Sequence, residues 1–427
     1  MQIKEDLIHY IWKTKNFNHN DLFTTEGLKI NIISFGIHNH SDGPDFLEAQ
    51  IELDDIKWSG SIEMHVKSSD WHSHKHDSDP NYENTILHVV YEADKDVFRS
   101  NGEKIPCLEL NNRFDSSILE LYQKFDNSHW IPCEPFISSV SEISIFLAKE
   151  KMLTDRLERR WQDMNKTNDL TDRDWEETAY RLICRSFGLV HNADAFLDIA
   201  LRIPLSILKK NCDNIENLEA LFMGTAGLLT DKVKDEYPRR LKDNYLFLKK
   251  KYGLVGHDGI VLKHKAVRPQ NFPEVALSQF IQLMRKPNVF SILLNGTLKE
   301  LHSTLRVSAS NYWNNHYTFD NLSTTRIKKL GISKIRIIII NAIVPMLFFM
   351  SKKKDEDKWA HKATSFLENI PSERNNIIFK WENLGIEVNT AYDSQALLEL
   401  KKNYCDKKIC LSCPIGHSIM KPSQPII

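Results

Sequence analysis

The stretch "DGPDFLEAQIELDDIKWSGSIEMHVKSSDWHSHKHD" (Asp42–Asp77) joins strand-like patterning to a high density of polar groups. It contains six Asp, three Glu and four His. Apolar and polar residues alternate through "FLEAQIEL" and "WSGSIEMHV", and this period of two predicts β-strands. The dipeptides "DD" and "SG" are typical of turns. The stretch therefore predicts a hairpin whose ends carry carboxylates and imidazoles.

The neighbouring segments predict the rest of the architecture. "IKEDLIHYIWKTKNF" has apolar residues at helical spacing, and "NTILHVVYEAD" (Asn84–Asp94) has the length and apolar content of a central strand. From about Ser141 the spacing is helical. We predict an α+β protein with a mixed β-sheet domain (1–137), a mostly α-helical domain (138–403) and a Cys-rich tail (404–427).

Charge is distributed unevenly along the chain although the formal net charge is only −1. Residues 1–137 hold 12 Lys and Arg against 24 Asp and Glu, whereas the remainder holds 44 against 33. An acidic front and a basic body are compatible with a metal-binding head on a platform for polyanions, which makes nucleic acid a candidate partner. The alternative is that the lysine-rich helices simply have solvated faces.

Two features argue against a membrane or secreted protein. The N-terminus lacks the basic and apolar regions of a signal peptide. The most apolar run, Ile337–Met350, is shorter than the ~20 residues that span a bilayer, so we expect a buried helix. Seven cysteines are an odd number and do not suggest a disulfide framework. A reducing cytoplasm is therefore the predicted location.

Asp45 and Glu63 are predicted to meet in the hairpin. Asp45 precedes the first strand and Glu63 lies near the end of the second, while His65 shares a strand face with Glu63 because it is two residues away. Two carboxylates and a polar neighbour suit a hard cation, so we predict Mg²⁺ or Mn²⁺ bound by Asp45 and Glu63. The predicted role of His65 or Lys67 is to position or activate water.

These residues resemble the motif of the PD-(D/E)XK nuclease superfamily, at Pro44-Asp45 and Glu63-Met64-His65. The resemblance implies metal-dependent hydrolysis of nucleic acid on a nuclease-like mixed sheet. It also implies an acidic residue on the first helix, for which Glu5 is the candidate, and a further strand, for which "ILHVVYEAD" is the candidate. The chain departs from the motif at the lysine position, which is occupied by His65; Lys67 on the same face is a candidate replacement.

Histidines supply an alternative site. His38 and His40 alternate before Asp42, and His72 and His74 alternate after the hairpin. A His-X-His pair on a strand places both imidazoles on one face, an arrangement that suits Zn²⁺, Fe²⁺ or Mn²⁺. A histidine-based transition-metal enzyme is therefore an alternative to the nuclease, and loop histidines that are merely solvated are a third interpretation.

The tail "YCDKKICLSCPIGH" places Cys405, Cys410 and Cys413 in C-x4-C-x2-C spacing. Three clustered thiols in a cytoplasmic protein predict a metal site. If His417 is the fourth ligand, a compact zinc site results; if Cys133 is, the tail returns to the first domain and an iron–sulfur cluster fits. The second layout is similar to that of some PD-(D/E)XK nucleases, whose usual C-x2-C-x5-C spacing differs from this one.

The whole chain resembles a bacterial family known only as a domain of unknown function. The stretches that carry this resemblance include "GPDFLEAQI", "RPQNFPEVALSQF" and "CLSCPIG". It implies no activity.

We predict a metal-dependent nucleic-acid phosphodiesterase; the alternative is a non-catalytic nucleic-acid- or protein-binding module with a structural metal. In the helical domain, Arg268, Tyr312 and Trp313 are candidates for binding phosphates and stacking on bases.

Overall fold

A computed structural model describes residues 3–39, 42–125, 129–169, 174–256, 258–265 and 267–420. The chain forms two compact units. Unit 1 comprises Met1–Glu150, Asn383–Gly385 and Glu399–Ile427, and unit 2 comprises Lys151–Glu382 and Ile386–Leu398. The α+β class is confirmed. The predicted Cys-rich tail falls within unit 1.

Unit 1 is built on a seven-stranded mixed sheet in the order β1-β2-β4-β5-β6-β7, with β3 also paired to β4. Strands β1 to β5 pair antiparallel, whereas β5, β6 and β7 run parallel. The strands are β1 (Leu22–Phe23), β2 (Lys29–Ser34), β3 (Ile37–His38), β4 (Phe46–Leu53), β5 (Ile56–Lys67), β6 (Thr85–Glu92) and β7 (Cys107–Glu109).

The predicted hairpin is formed by β4 and β5. Asp54 and Asp55 connect the strands with φ angles of 42° and 68°. Two successive left-handed residues in a two-residue loop favour a right-twisted hairpin, and aspartate tolerates that conformation. The second predicted turn, at Ser59-Gly60, is wrong: both residues lie inside β5. A Cβ atom on Gly60 would come within 2.4 Å of the Asn84 carbonyl oxygen, so the glycine allows a close backbone approach.

Short helices flank the sheet of unit 1. The first helix, α1 (Glu5–Thr14), buries Leu7, Ile8 and Ile11 and packs against β5. Because this packing fixes the rotation of α1, its polar residues Glu5 and His9 lie one turn apart on one face. The parallel pairing of β5 and β6 requires a crossover, which contains α2 (Asp70–Ser73) and most of the histidines of the quoted stretch.

Helices dominate the chain from residue 142 onward. The remaining helices are α3 (Ser116–Lys124), α4 (Glu142–Asp169), α5 (Trp175–Phe187), α6 (Leu189–Arg202), α7 (Leu205–Lys210), α8 (Ile215–Thr225), α9 (Glu236–Tyr252), α10 (Pro273–Met284), α11 (Val289–Asn295), α12 (Leu298–Leu305), α13 (Ile332–Ile338), α14 (Val344–Lys354), α15 (Asp357–Asn369), α16 (Asn376–Asn383), α17 (Ala391–Leu400) and α18 (Pro414–Met420). Two short strands, β8 (His316–Thr318) and β9 (Asn321–Leu322), form a small antiparallel pair.

In the part of the chain that the structure describes, one long apolar helical segment is Ile332–Lys354, in which α13 and α14 are joined by a π-helical turn at Ile339–Ile343. The π-helical turn ends just before Pro345. Because proline has no backbone N–H, it cannot donate the helical hydrogen bond at this position. By length and composition this segment is a candidate membrane span, with a mean hydropathy of 1.9, yet 67% of its most apolar window is buried inside the protein. Such burial agrees with the predicted buried helix.

Candidate functional site

Asp45 and Glu63 hold the two strands of the hairpin together. The Asp45 backbone N–H donates to Glu63 Oε2 at 3.1 Å, and the Met64 backbone N–H donates to Asp45 Oδ2 at 2.9 Å. Each carboxylate therefore accepts a hydrogen bond from the other residue's strand. The two residues therefore lie next to each other, and Glu63 is buried, with 5% of its surface exposed.

Two histidines lie beside Glu63, and a third lies beside one of them. His76 Nε2 lies 3.2 Å and His65 Nε2 lies 3.7 Å from Glu63 Oε1. His65 Nε2 is also 3.1 Å from His74 Nδ1. Among the described residues, these three imidazoles form the one group of His, Cys or carboxylate residues whose ligand atoms all lie within 4.8 Å of one another. The crossover after β5 thus returns its histidines to the end of the hairpin.

Helix α1 supplies the opposite side of the site. His9 Nε2 lies 3.1 Å from Asp45 Oδ2. Burial raises the pKa of Glu5, which also experiences the charges of His74, His9 and Asp45. The candidate acid of the first helix is therefore in the same neighbourhood as the carboxylates of the hairpin.

Burial sets the protonation states of the site. It raises the pKa of Glu63 to about 9, with a further contribution from the charge of Asp45. It lowers the pKa of His65 to about 2, helped by repulsion from His88 and His74. Burial alone would lower the pKa of His9, but its pairing with Asp45 raises it instead. In the absence of a cation, the site therefore favours a neutral Glu63 and neutral imidazole at His65.

The geometry fits a cation ligand set. His76 Nε2 is buried and lacks a partner in hydrogen-bond geometry, although Glu63 Oε1 is only 3.2 Å away. A nitrogen and an oxygen at this distance can both bind one ion. A second imidazole supports His65, because its Nδ1 lies 2.8 Å from Nε2 of the fully buried His88. Such support of a ligating imidazole is usual at metal sites.

Other predicted site residues lie outside this cluster. The Lys67 amine pairs with Glu92 at 3.6 Å at the exposed end of β5, and His72 Nδ1 lies 4.0 Å from Asp77. His38 lies beside α1, with its ring centroid 5.6 Å from that of His9. His40 lies outside the described residues.

His9 and His76 were not predicted as ligands, although His76 continues the alternation of His72 and His74. His9 follows Glu5 by four residues on a helix, a spacing that places both on one face and that signals a shared role. His76 stacks on Tyr82 with ring centroids 3.8 Å apart. The stacking of His76 on Tyr82 depends on the folding of an irregular crossover, so it cannot be predicted from periodicity in the sequence.

The four predicted cysteine ligands all belong to unit 1. Cys133, Cys405 and Cys413 are buried and Cys410 is half-buried. The His417 ring is exposed and its centroid lies 5.7 Å from that of Tyr10.

The predicted base-stacking pair of unit 2 requires a correction. Trp313 is completely buried, and its indole N–H is 3.2 Å from Glu219 Oε2, so it is a core residue that cannot stack on a base. Tyr312 is half-buried, stacks on His316 and donates to Asp235 Oδ2 at 2.8 Å. Arg268 is exposed beside the 3₁₀ turn Pro269–Asn271.

Comparisons with known proteins give a family but no function. Neither the curated proteins nor the solved structures yield a match to this chain. A family profile does match, and it spans most of both units. The chain belongs to the family described as "Protein of unknown function (DUF2851)", which matches residues 5–376.

Proposed function

We propose that unit 1 is a metal-dependent phosphodiesterase that acts on nucleic acid. The observation that carries the proposal is the buried Glu63 carboxylate, which lies at 3.2 and 3.7 Å from the nitrogens of His76 and His65 and is linked through the hairpin to Asp45. A divalent cation held there would supply Lewis-acid activation of a phosphodiester and of water.

The donor set favours a transition metal over Mg²⁺. Carboxylate oxygens suit Mg²⁺ and Mn²⁺, whereas imidazole nitrogens suit Zn²⁺, Fe²⁺ and similar ions. A site with Glu63, His65, His74 and His76 combines both kinds of donor, so we propose Mn²⁺ or Zn²⁺ as its occupant. This proposal joins the predicted hairpin site and the predicted histidine site into one.

Proton transfer is assigned to the side of the site formed by α1. The pairing of His9 with Asp45, 3.1 Å away, raises the pKa of the His9 imidazole in the metal-free protein. A protonated imidazole next to a cation site is suited to donate a proton to a leaving alkoxide. Glu5, whose pKa is raised, lies close enough to His9 to influence that proton.

Two further observations support the nuclease class. A first helix with an acid, an antiparallel hairpin with two carboxylates, and a later strand parallel to β5 are the elements that the PD-(D/E)XK resemblance names. The excess of Lys and Arg after residue 137 supports a polyanionic substrate.

A non-catalytic binding module is the second candidate, and one observation favours it. Asp45 and Glu63 both accept backbone hydrogen bonds across the hairpin, so a structural role would explain why these two carboxylates are placed there. In that case the carboxylates are hairpin clamps, and any metal in the protein is structural. Catalytic turnover separates the two candidates.

The direct test is cleavage of labelled nucleic acid by the chelated and reconstituted full chain. Single- and double-stranded DNA and RNA are offered with Mn²⁺, Zn²⁺ or Mg²⁺. We expect cleavage of at least one substrate with Mn²⁺ or Zn²⁺ and none after chelation, because the cation supplies the Lewis acid. Absence of cleavage with every substrate and ion would favour the binding module.

The control for this test is a comparison of metal affinity between two matched variants. His74→Ala should weaken Mn²⁺ binding in calorimetry at least about tenfold, because His74 lies 3.1 Å from His65 in the cluster. His72→Ala, two residues away and next to Asp77, should leave the affinity unchanged. Equal affinities in both variants would remove the histidine cluster from the site.

Nucleic-acid binding by the full chain should depend steeply on salt. Lysine and arginine side chains that neutralise phosphates release counterions, so the logarithm of the affinity falls linearly with the logarithm of the salt concentration. Fluorescence anisotropy between about 50 and 200 mM salt measures the slope, and a loss of at least about tenfold is expected. A salt-independent affinity would contradict the proposed polyanion surface.

A further inference from the structure

Four cysteines from two distant parts of the chain converge in unit 1. Cys133 immediately precedes the 3₁₀ helix Glu134–Ser139, and this helix packs against α18, which begins directly after Cys413. Three of the four side chains are buried: 5% of Cys133, 9% of Cys405 and 6% of Cys413 is exposed. These thiols are buried near one another and form no disulfide. A shared metal centre would explain this arrangement.

The tail has a tight backbone that presents its sulfurs from successive turns. The Lys408 N–H donates to the Cys405 carbonyl at 3.1 Å, and the Cys413 N–H donates to the Cys410 carbonyl at 3.1 Å. A Cβ atom on Gly416 would lie 2.1 Å from the Cys410 carbonyl oxygen, so only glycine lets α18 approach the turn this closely. The turns that carry the thiols are thereby fixed.

Cys133 belongs to the same electrostatic neighbourhood as the tail thiols. Burial raises the pKa of Cys133 to about 12, and the next causes are Cys413 and Cys410. Burial also raises the pKa of Cys405, followed by the effects of Cys133, Cys413 and Cys410. The four thiols therefore influence one another electrostatically, and Cys133 is the candidate for the fourth ligand.

The spacing of the sulfurs distinguishes one ion from several. A single tetrahedral Zn²⁺ with Zn–S bonds of about 2.3 Å brings its four sulfurs to about 3.8 Å from one another. No three cysteine sulfurs in the described part of the chain lie within 4.8 Å of one another. In a multinuclear cluster the thiolates bind more than one iron, so the sulfurs are not all drawn around a single centre.

We propose that Cys133, Cys405, Cys410 and Cys413 hold an iron–sulfur cluster. This site is separate from the proposed hydrolytic site, and neither proposal depends on the other. The His417 ring, which faces Tyr10, is not required as a ligand. Cys133 and the tail are far apart in sequence. Ligation of one cluster by both would therefore link the two segments and stabilise the fold of unit 1.

The test begins with the full chain purified anaerobically. We expect iron and acid-labile sulfide in comparable amounts and a broad visible absorption that bleaches in air. Cys133→Ser and Cys410→Ser should each lose most of the iron, whereas Cys212→Ser, a half-exposed cysteine of unit 2, should retain it. Stoichiometric zinc without sulfide would overturn the cluster, and full iron retention by Cys133→Ser would overturn the ligand set.

A measurement on the unmodified chain covers the case in which a variant does not fold. Alkylation followed by mass spectrometry should label Cys212 in the anaerobic protein but spare the four proposed ligands. Chelation and oxidation should then expose those four thiols together. Free alkylation of Cys405, Cys410 and Cys413 in a metal-free sample from anaerobic purification would overturn the proposal.

Discussion

Replacement of Glu63 by glutamine is expected to reduce nucleic-acid cleavage at least about a hundredfold. The Glu63 carboxylate is the group that approaches both His76 and His65. An amide puts an N–H₂ group in place of one carboxylate oxygen and removes the negative charge, so the cation loses a ligand. The remaining oxygen can still accept the hydrogen bond from Asp45 N–H, which preserves the hairpin. Initial cleavage rates and Mn²⁺ calorimetry measure the effect.

The matched control is Glu52→Gln. Glu52 lies on β4 of the same hairpin but contacts Asn31 at 3.3 Å, outside the histidine cluster. Its amide variant should cleave and bind Mn²⁺ like the natural chain. Thermal unfolding after chelation should be similar for all three proteins, because a Glu63 with a pKa near 9 is already neutral at pH 7. Unchanged cleavage and Mn²⁺ affinity in Glu63→Gln would remove this residue from the proposed site.

Replacement of Lys334 by methionine is expected to stabilise the protein by roughly 2 to 4 kcal/mol at pH 7. Lys334 is buried in α13, and its amine has no hydrogen-bond partner among the described residues. Burial lowers its pKa to about 7. The ring of Phe187, 5.4 Å away, compensates part of the cost of burying the charge. Methionine fills a similar volume and carries no charge to desolvate.

The pH dependence of the gain is the specific signature of Lys334. Between pH 7 and about 10.5 the unfolded chain holds the proton while the folded chain has released it, so this group makes stability rise with pH. The advantage of Lys334→Met should therefore be largest at or below pH 7 and shrink toward pH 10. Denaturant unfolding of both proteins across this range measures the difference. If Lys334→Met is more stable than the natural chain by the same amount at every pH, then burial does not neutralise Lys334.

The hairpin and the two carboxylates were predictable because local rules decide them. Alternation sets the strands, and the Asp54-Asp55 turn sets the register that brings Asp45 beside Glu63. Gly60 was misassigned as part of a turn because its role is steric and involves Asn84, a residue that becomes its neighbour only in the folded sheet.

The histidine cluster was only partly predictable. His65 was found through strand periodicity, whereas the inclusion of His76 depends on the irregular crossover after β5 and on stacking with Tyr82. Trp313 was misjudged because a tryptophan beside a tyrosine has the same sequence signature in a core as on a surface. Its partner Glu219 is remote in sequence, and only the fold shows that the indole is enclosed.

The return of the tail to unit 1 sets the order in which the protein can mature during synthesis. Glu399–Met420 leaves the ribosome after all of unit 2, so β1 to β7 emerge long before α18, the helix that buries Ile415 and Met420. Until then, the apolar surface that will receive this helix is exposed on the nascent chain. Translation that stops after unit 2 would release a sheet without its closing segment, a species prone to aggregation and accessible to chaperones and proteases.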